Sequence, residues 1–382
     1  MHVALNAHLL SVGATYRGAG ISRYTRNLLA CLPSAGPDQT YTVYCGDPAV
    51  PRAIPHDGCL SFRVSRLPTV RPAVRIFWEQ LVQPWELATG HTELLHSLGY
   101  VQPIWCPYPS VVTVQDLSFM VYPETFNRAN RLYLQWMTDW TVRHADRVIV
   151  PSEHTKNDVG TFMRVPPDKV DVIPLGVEEM FRPVGDAERE RFRRSRGLPE
   201  AFILFVGTLE PRKNVERLVR AYGQVKGRCG VRHKLVLVGG KGWLYDRIFA
   251  TLGELGLQDD VIFAGYVPLD ELPLWYNCAE VFAYPSLHEG FGFPPLEAMA
   301  CGTPVVASAT TSLPEVVGDA GLLVDPLDVD ALEEGLARVL TDDGLRQELS
   351  RRGLARAGQF SWERAARETV ETYRRTMANR GR

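Results

Sequence analysis

Short β-branched apolar runs alternate with longer segments of helical period throughout this 382-residue chain, and the alternation starts afresh after Pro174. Strands separated by helices have room to run parallel, so an α/β fold of two doubly wound sheets covered by helices is expected. In the first half, strands are expected at 2–6, 41–44, 110–114, 147–151 and 169–173, with helices at 21–32 and 130–144. Ile21, Tyr24, Leu28, Leu29 and Leu32 recur on one helical face, as a sheet-covering helix requires. The second half offers strands at 203–206, 234–238, 260–264, 280–284 and 304–307, alternating with helices at 215–225, 245–255, 270–277 and 295–300. Helices at 328–340 and 360–377 follow, the last with Ser361 placed as its N-cap and Glu363 in its first turn. The charged stretch 186–196 marks the boundary between two domains, and the length suits two separate cores.

Composition narrows the function. Forty-two basic against 44 acidic side chains leave a net charge of -2, so no global field draws the chain onto nucleic acid. Seven scattered cysteines include no closely spaced pair of the kind that begins a zinc site, and read as buried thiols of a reducing cytosol. No apolar run reaches the ~20 residues that span a bilayer, and the first ten residues do not read as a secretory signal. A cytoplasmic location is expected.

The densest chemistry follows the strand at 280–284. Glu289, Gly290, Phe291, Gly292 and Phe293 lead through Pro294 and Pro295 into a helix that carries Glu297. Glycines let a ligand approach the main chain closely, proline suits a first helical turn, and the N–H groups of 290–293 can face an anion. Glu289 and Glu297 can accept hydrogen bonds from the hydroxyls of a sugar and a ribose. An ordinary pair of solvated glutamates would not need the glycines, aromatics and prolines between them. A second cluster, Gly207 to Asn214, follows the strand at 203–206, and there Arg212 and Lys213 are a complementary pair for a diphosphate. Asn214 is expected to cap the next helix. The two cations oppose that helix's dipole, so a negative group should compensate them. Gly18 and Gly20, before the first helix, read either as a phosphate or acceptor contact or as an ordinary tight turn. They lack the full dinucleotide fingerprint. Gln115 and Asp116 end a first-half strand, where Asp116 can also serve as a turn cap.

These motifs, with the run from Ala298 to Val306, resemble the signature of glycosyltransferase family four, the group 1 glycosyl transferases, and the resemblance extends over nearly the whole chain. The stretch from Lys241 to Tyr245 is similar to one in bacterial mannosyltransferase-like members. The resemblance implies the GT-B architecture: an acceptor-binding Rossmann-like domain at 1–178 joined by a C-terminal helix at 360–382 that crosses back to it, and a donor-binding one at 179–359, facing across a cleft. It further implies a retaining hexosyltransferase, using GDP-mannose or another nucleotide diphosphate sugar, with no obligatory metal and no cofactor beyond that donor. Glu289 would hold donor-sugar hydroxyls, Glu297 the ribose, Arg212 and Lys213 the diphosphate, and the 291–293 main chain the sugar and phosphate. Many members carry histidine where this chain has Gln115, whose amide can orient a sugar but cannot shuttle a proton.

The expected acceptor is a saccharide or lipid-linked oligosaccharide of cell-surface polysaccharide or glycolipid synthesis. Alternatives are a nucleotide-sugar epimerase or phosphorylase of the same architecture, or a binding module without turnover. The segment from Arg63 to Trp85 mixes Arg63, Arg66, Arg71 and Arg75 with Ile76, Phe77, Trp78, Leu81 and Trp85. It reads either as a helix packed on its own domain or as a peripheral contact with an anionic membrane.

Overall fold

A computed structural model describes residues 1–13, 20–54, 58–125, 128–240, 242 and 245–380. The chain divides into two compact units, Met1–Gly176 with Ser361–Arg382, and Val177–Phe360. The first unit holds strands β1 His2–Asn6, β2 Thr40–Cys45, β3 Leu60–Val64, β4 Leu94–Ser97, β5 Ser110–Thr113, β6 Arg147–Val150 and β7 Val170–Val172. They form a seven-stranded sheet of order β3-β2-β1-β4-β5-β6-β7, in which each pairing is parallel. The second unit holds β8 Phe202–Val206, β9 Lys234–Val238, β10 Val261–Gly265, β11 Val281–Tyr284, β12 Val305–Ser308 and β13 Leu322–Val324. Its six-stranded parallel sheet runs β10-β9-β8-β11-β12-β13. Each sheet grows outward from its first strand, then reverses, between β1 and β4 in one unit and between β8 and β11 in the other. Such reversals part the loops at the carboxyl ends of two adjacent strands, where ligands of open α/β sheets bind.

Strands β8, β9 and β11 are buried along nearly their whole length, and their unbroken apolar runs make them plain in the sequence. Three strands go beyond the expected set for identifiable reasons. Edge strand β3 leaves alternate positions half exposed and carries Arg63, β4 is four residues with His96 among them, and β13 is three residues long. The charged boundary stretch is itself a helix, Asp186–Arg196, which buries only Phe192 and is laced by pairs such as Arg194 with Glu190 at 2.6 Å. With no apolar stripe, its period is invisible to a hydrophobicity reading.

The closing helix, Trp362–Arg380, belongs to the first unit. Ser361 Oγ accepts the Arg364 N–H at 3.2 Å, the expected cap. Tyr373 is fully buried, and its hydroxyl meets His96 Nδ1 at 2.6 Å. His96 Nε2 meets Thr113 Oγ1 at 2.8 Å, and the Tyr24 hydroxyl lies 2.9 Å from the same oxygen. This satisfied chain of polar groups ties the last helix to two strands and to the helix Gly20–Ala35.

Candidate active site

The second unit's reversal point sets the site. Strands β8 and β11 pair in parallel, Val281 opposite Ile203 and Phe282 opposite Leu204, so the loops that leave their carboxyl ends are neighbours. From β8 the chain passes Gly207, whose N–H bonds Val238 O at 2.9 Å, into a short 3-10 turn at Pro211–Lys213. From β11 it passes Pro285 and bends through Glu289 to Gly292, where the helix Phe293–Ala300 begins. Gly292 has φ 119°, and a Cβ there would lie 2.6 Å from Leu313 Cδ2, so both conformation and space demand glycine.

The two loops are stitched together. Leu287 N–H bonds Arg212 O at 2.8 Å, and Arg212 Nη1 donates to His288 O at 2.8 Å. The Asn214 amide donates to Pro285 O at 3.0 Å and Pro326 O at 2.7 Å, while its oxygen accepts from Arg217. Asn214 is therefore not the side-chain cap expected of it. It sits in the left-handed region at φ 59° and makes no cap hydrogen bond, because its amide is committed to carbonyls of other loops.

Glu289 is the anion that the Arg212–Lys213 pair requires. Its Oε1 takes hydrogen bonds from Lys213 Nζ at 2.5 Å, Ser286 Oγ at 2.6 Å and the Tyr284 hydroxyl at 2.9 Å; Arg212 Nη1 lies 3.5 Å from Oε2. Arg212 also pairs with Glu210 at 2.8 Å. Burial by itself raises the Glu289 carboxyl. The Lys213 and Arg212 charges, with hydrogen bonds from Lys213 and Ser286, outweigh it and hold the group at about 2. Burial and the neighbouring guanidinium pull Lys213 below the ordinary lysine range, against the attraction of Glu289, and burial keeps the Tyr284 phenol neutral. Two acids and two cations thus form a locally neutral, largely buried cluster.

Tyr284 and Ser312 are not singled out by the sequence, and Ser286, which opens the cluster there, carries no expected role. Ser286 stands three residues before Glu289 and Tyr284 ends the strand, so a search of strand ends for polar side chains could have found both. Ser312 Oγ donates within 2.9 Å of Glu289 O and 2.7 Å of Phe291 O, pinning the bend from another loop, and nothing local in the sequence signals it.

Glu297 is 1% exposed and accepts from the Tyr276 hydroxyl at 2.7 Å. Phe291 is buried against Phe293 and Phe360, at ring separations of 5.7 and 5.9 Å. Gly290 lies buried in the bend between them. Gly242 packs on the β8 loop, its N–H on Leu209 O at 3.2 Å, while Lys241, Trp243 and Leu244 lie outside the described residues.

In the first unit, Gln115 and Asp116 follow β5. Asp116 Oδ1 accepts the Ser118 N–H at 3.1 Å, the Ser118 hydroxyl at 2.9 Å and the Tyr100 hydroxyl at 3.3 Å, which is the turn-capping role. Gln115 Nε2 is buried without a hydrogen-bond partner among the described residues. Gly20 is the first residue of the helix Gly20–Ala35, and Gly18 lies outside the described residues.

Residues 186–356 match the family of glycosyl transferases group 1, and residues 18–180 match glycosyltransferase family 4. The chain is 32% identical over 372 residues to the O-antigen chain mannosyltransferase B of Escherichia coli, covering 94% of this chain and 97% of that protein. It is also 32% identical to the serotype-specific mannosyltransferase WbdA of Escherichia coli over 71% of this chain, which spans 34% of that longer protein. Among solved structures, sucrose-phosphate synthase from Thermosynechococcus elongatus superposes with a TM-score of 0.79 at 26% identity, covering 99% of both chains. WaaG, a glycosyltransferase involved in lipopolysaccharide biosynthesis, shares the fold with a TM-score of 0.74 at 17% identity, over 97% of this chain and 99% of that one.

Proposed function

Because the chain belongs to glycosyltransferase family four, with its two GT-B-type units, we propose that it transfers a mannosyl group from a nucleotide diphosphate sugar to a saccharide acceptor, with retention at the anomeric carbon. The mannosyl assignment follows the relatives, and GDP-mannose is the donor it points to. The observation that carries the reading is the Lys213–Glu289 pair at the β8/β11 reversal, with Arg212 beside it.

An arriving diphosphate brings the negative charge that Glu289 supplies in the free protein. Lys213 and Arg212 re-pair with the phosphates, and the Glu289 lone pairs are released to accept hydroxyls of the donor sugar. As the sugar–phosphate bond breaks, negative charge grows on the leaving diphosphate and positive charge on the sugar. Cations already in place then stabilise the transition state more than the ground state, and the N–H groups at the start of the Phe293–Ala300 helix add to them. This arrangement supplies the leaving group's counter-charge from side chains, without a metal. Glu297 would exchange its Tyr276 partner for ribose hydroxyls, and Gln115, Gly18 and Gly20 would orient sugar or acceptor.

We place the enzyme in the cytoplasm at the inner face of the membrane, using a lipid-linked acceptor. Phe77, Leu81 and Trp85 are 51, 64 and 73% exposed on one face of adjoining helical turns, and Arg63, Arg66 and Arg71 are exposed nearby in the chain. The other members of that segment turn inward: Trp78 is 2% exposed and Arg75 pairs with Glu79 at 3.7 Å. Among the described residues no helix is long and apolar enough to cross a membrane.

The test is a thermal-shift series with nucleoside diphosphates and their sugars, since a ligand of the folded state raises Tm. GDP-mannose should raise it more than GDP, and Glu289→Gln should abolish that difference. Equal shifts in the wild type would count against the donor assignment. Donor consumption in the absence of acceptor would favour an epimerase. NMR of the product's anomeric proton reads retention, and activity in excess chelator reads metal independence. Cosedimentation with acidic vesicles, compared for wild type and Trp85→Ser, tests membrane contact.

A further inference from the structure

Strand β12 lies beside β11, with Ala307 opposite Tyr284, so the loop that leaves β12 runs beside the bend that leaves β11. Four residues, from the end of β12 onward, engage the bend in order. Ser308 Oγ donates to Ser286 O at 2.6 Å, and Thr311 Oγ1 accepts the Glu289 N–H at 3.3 Å. Ser312 Oγ shares its proton between Glu289 O at 2.9 Å and Phe291 O at 2.7 Å, and Leu313 closes on Gly292 with no room for a Cβ. One loop thus grips the other from Ser286 to the start of the Phe293–Ala300 helix.

Thr311 and Ser312 make these contacts against local preference. Thr311 is β-branched yet sits at φ 59°, a left-handed conformation that crowds its side chain. Strain of this kind persists only where the surroundings over-determine it, and it gathers at functional sites. Ser312 stands at the N-cap of the helix Leu313–Val317 but makes no side-chain cap hydrogen bond there. A serine in that position ordinarily satisfies an N–H of its own helix. Here its fully buried hydroxyl is spent on the carbonyls of the neighbouring bend. Both residues forgo a local gain to hold the same few peptide groups.

What they fix is orientation. The peptide planes on both sides of the Glu289 Cα are held, one by its N–H and the other by its C=O, so the direction in which the side chain leaves the backbone is set without the carboxylate's own partners. In a trans peptide the C=O and the following N–H point opposite ways. With Glu289 O and Phe291 O both turned to Ser312, the N–H groups of Gly290 and Gly292 turn to the other side, and N–H groups gathered by a turn favour an anion. We propose that Thr311 and Ser312 are positioning residues for glycosyl transfer, holding Glu289 and the N–H groups of Gly290 and Gly292 toward the sugar and its leaving phosphate. This rests on the glycosyl-transfer reading, and it supplies what keeps the bend in place once Lys213 and Arg212 have turned from Glu289 to the diphosphate.

Three variants test it. Thr311→Ala and Ser312→Ala remove the two oxygens, and Thr311→Ser keeps one while shedding the β-branch. Hydrogen exchange of the bend, read by mass spectrometry with GDP as the probe, needs no acceptor. In the wild type GDP should slow exchange across the bend by ~10-fold or more, the size of one hydrogen bond to a charged group. Both alanine variants should lose most of that protection while GDP still raises their Tm, and Thr311→Ser should recover it. Where turnover of GDP-mannose is measurable, kcat per folded molecule should fall ~10-fold or more with donor KM within about threefold. A purely structural role would lower Tm and leave the GDP protection and kcat of the folded fraction as in the wild type. If Ser312→Ala fails to fold, the half-buried Thr311 and its two variants decide alone. Wild-type protection in a folded alanine variant, or none in the wild type although GDP raises its Tm, would overturn the proposal and leave the transfer reading standing. A wild-type Tm unmoved by GDP and GDP-mannose alike would sink that reading and the proposal with it.

Discussion

Lys213 Nζ lies 2.5 Å from Glu289 Oε1, and both side chains are about nine-tenths buried. Each is the other's main counter-charge, so removing either strands a charge in a low dielectric. Glu289→Gln should cost about 3 kcal/mol in denaturant unfolding of the free protein, and added nucleoside diphosphate should recover part of it by supplying the missing anion. A Lys213→Met and Glu289→Gln double change should be less destabilised than the sum of the single changes, but inactive. Additive losses would show that the two groups do not interact energetically.

Acid should weaken the first unit through His96. Burial holds its folded pKa down at about 3, against 6.5 for the free side chain. The unfolded chain therefore takes up a proton first as pH falls. The stabilisation is present above pH 6.5 and is lost progressively between about 6.5 and about 3. Between about pH 7 and about pH 5 the loss should be about 2 kcal/mol, read as a shift in denaturation midpoint. His96→Gln, which retains hydrogen-bonding capacity toward Tyr373 and Thr113, should remove the His96 share of the slope and leave that of His8, which burial likewise holds at about 3. Glu289, held at about 2, adds a second loss with the same sign below about pH 4.5.

Gly292→Ala should abolish transfer. The φ of 119° and the 2.6 Å approach to Leu313 act together on the bend that sets Glu289. A cost of about 2 kcal/mol is expected from backbone strain alone. Donor affinity measured by calorimetry should fall with stability, and wild-type affinity in this variant would mean that the bend does not form the donor site.

Gln115→His should keep measurable transfer. The Gln115 amide nitrogen is buried with no hydrogen-bond partner among the described residues, as suits a group reserved for orienting a ligand. If Gln115 only orients, the pH profile should not come to depend on residue 115. A profile governed wholly by the new histidine would contradict that role.

The parts of the fold plain in the sequence are those where a buried strand writes an unbroken apolar run, as in β8 and β11. Strands β4 and β13 are too short for a period to show, and β3 spends half its residues on solvent. The helix 186–196 is held by charge pairs that a hydrophobicity pattern does not see. In the site, Glu289, Arg212 and Lys213 stand out in the sequence by the glycines and prolines around them, and the structure brings these three together, while Glu297 bonds Tyr276 instead. The mutual arrangement of the three does not stand out. That Glu289 answers Lys213 depends on β8 and β11 being neighbours, which sheet order decides and local spacing does not. Asn214 misleads for the same reason, since an asparagine before a helix reads as a cap until its amide is seen bridging to Pro285 and Pro326.

The Val177 N–H meets the Phe360 carbonyl at 3.3 Å, so the chain enters and leaves the second unit at a single point. On the other side of both crossings, a Cβ on Gly176 would touch the Trp362 backbone. The second lobe is thus a parenthesis inserted into the first lobe. The two ends that removal of the second lobe would leave, Gly176 and Ser361, already adjoin. The gene could exchange one such insert for another without disturbing the sheet that surrounds it.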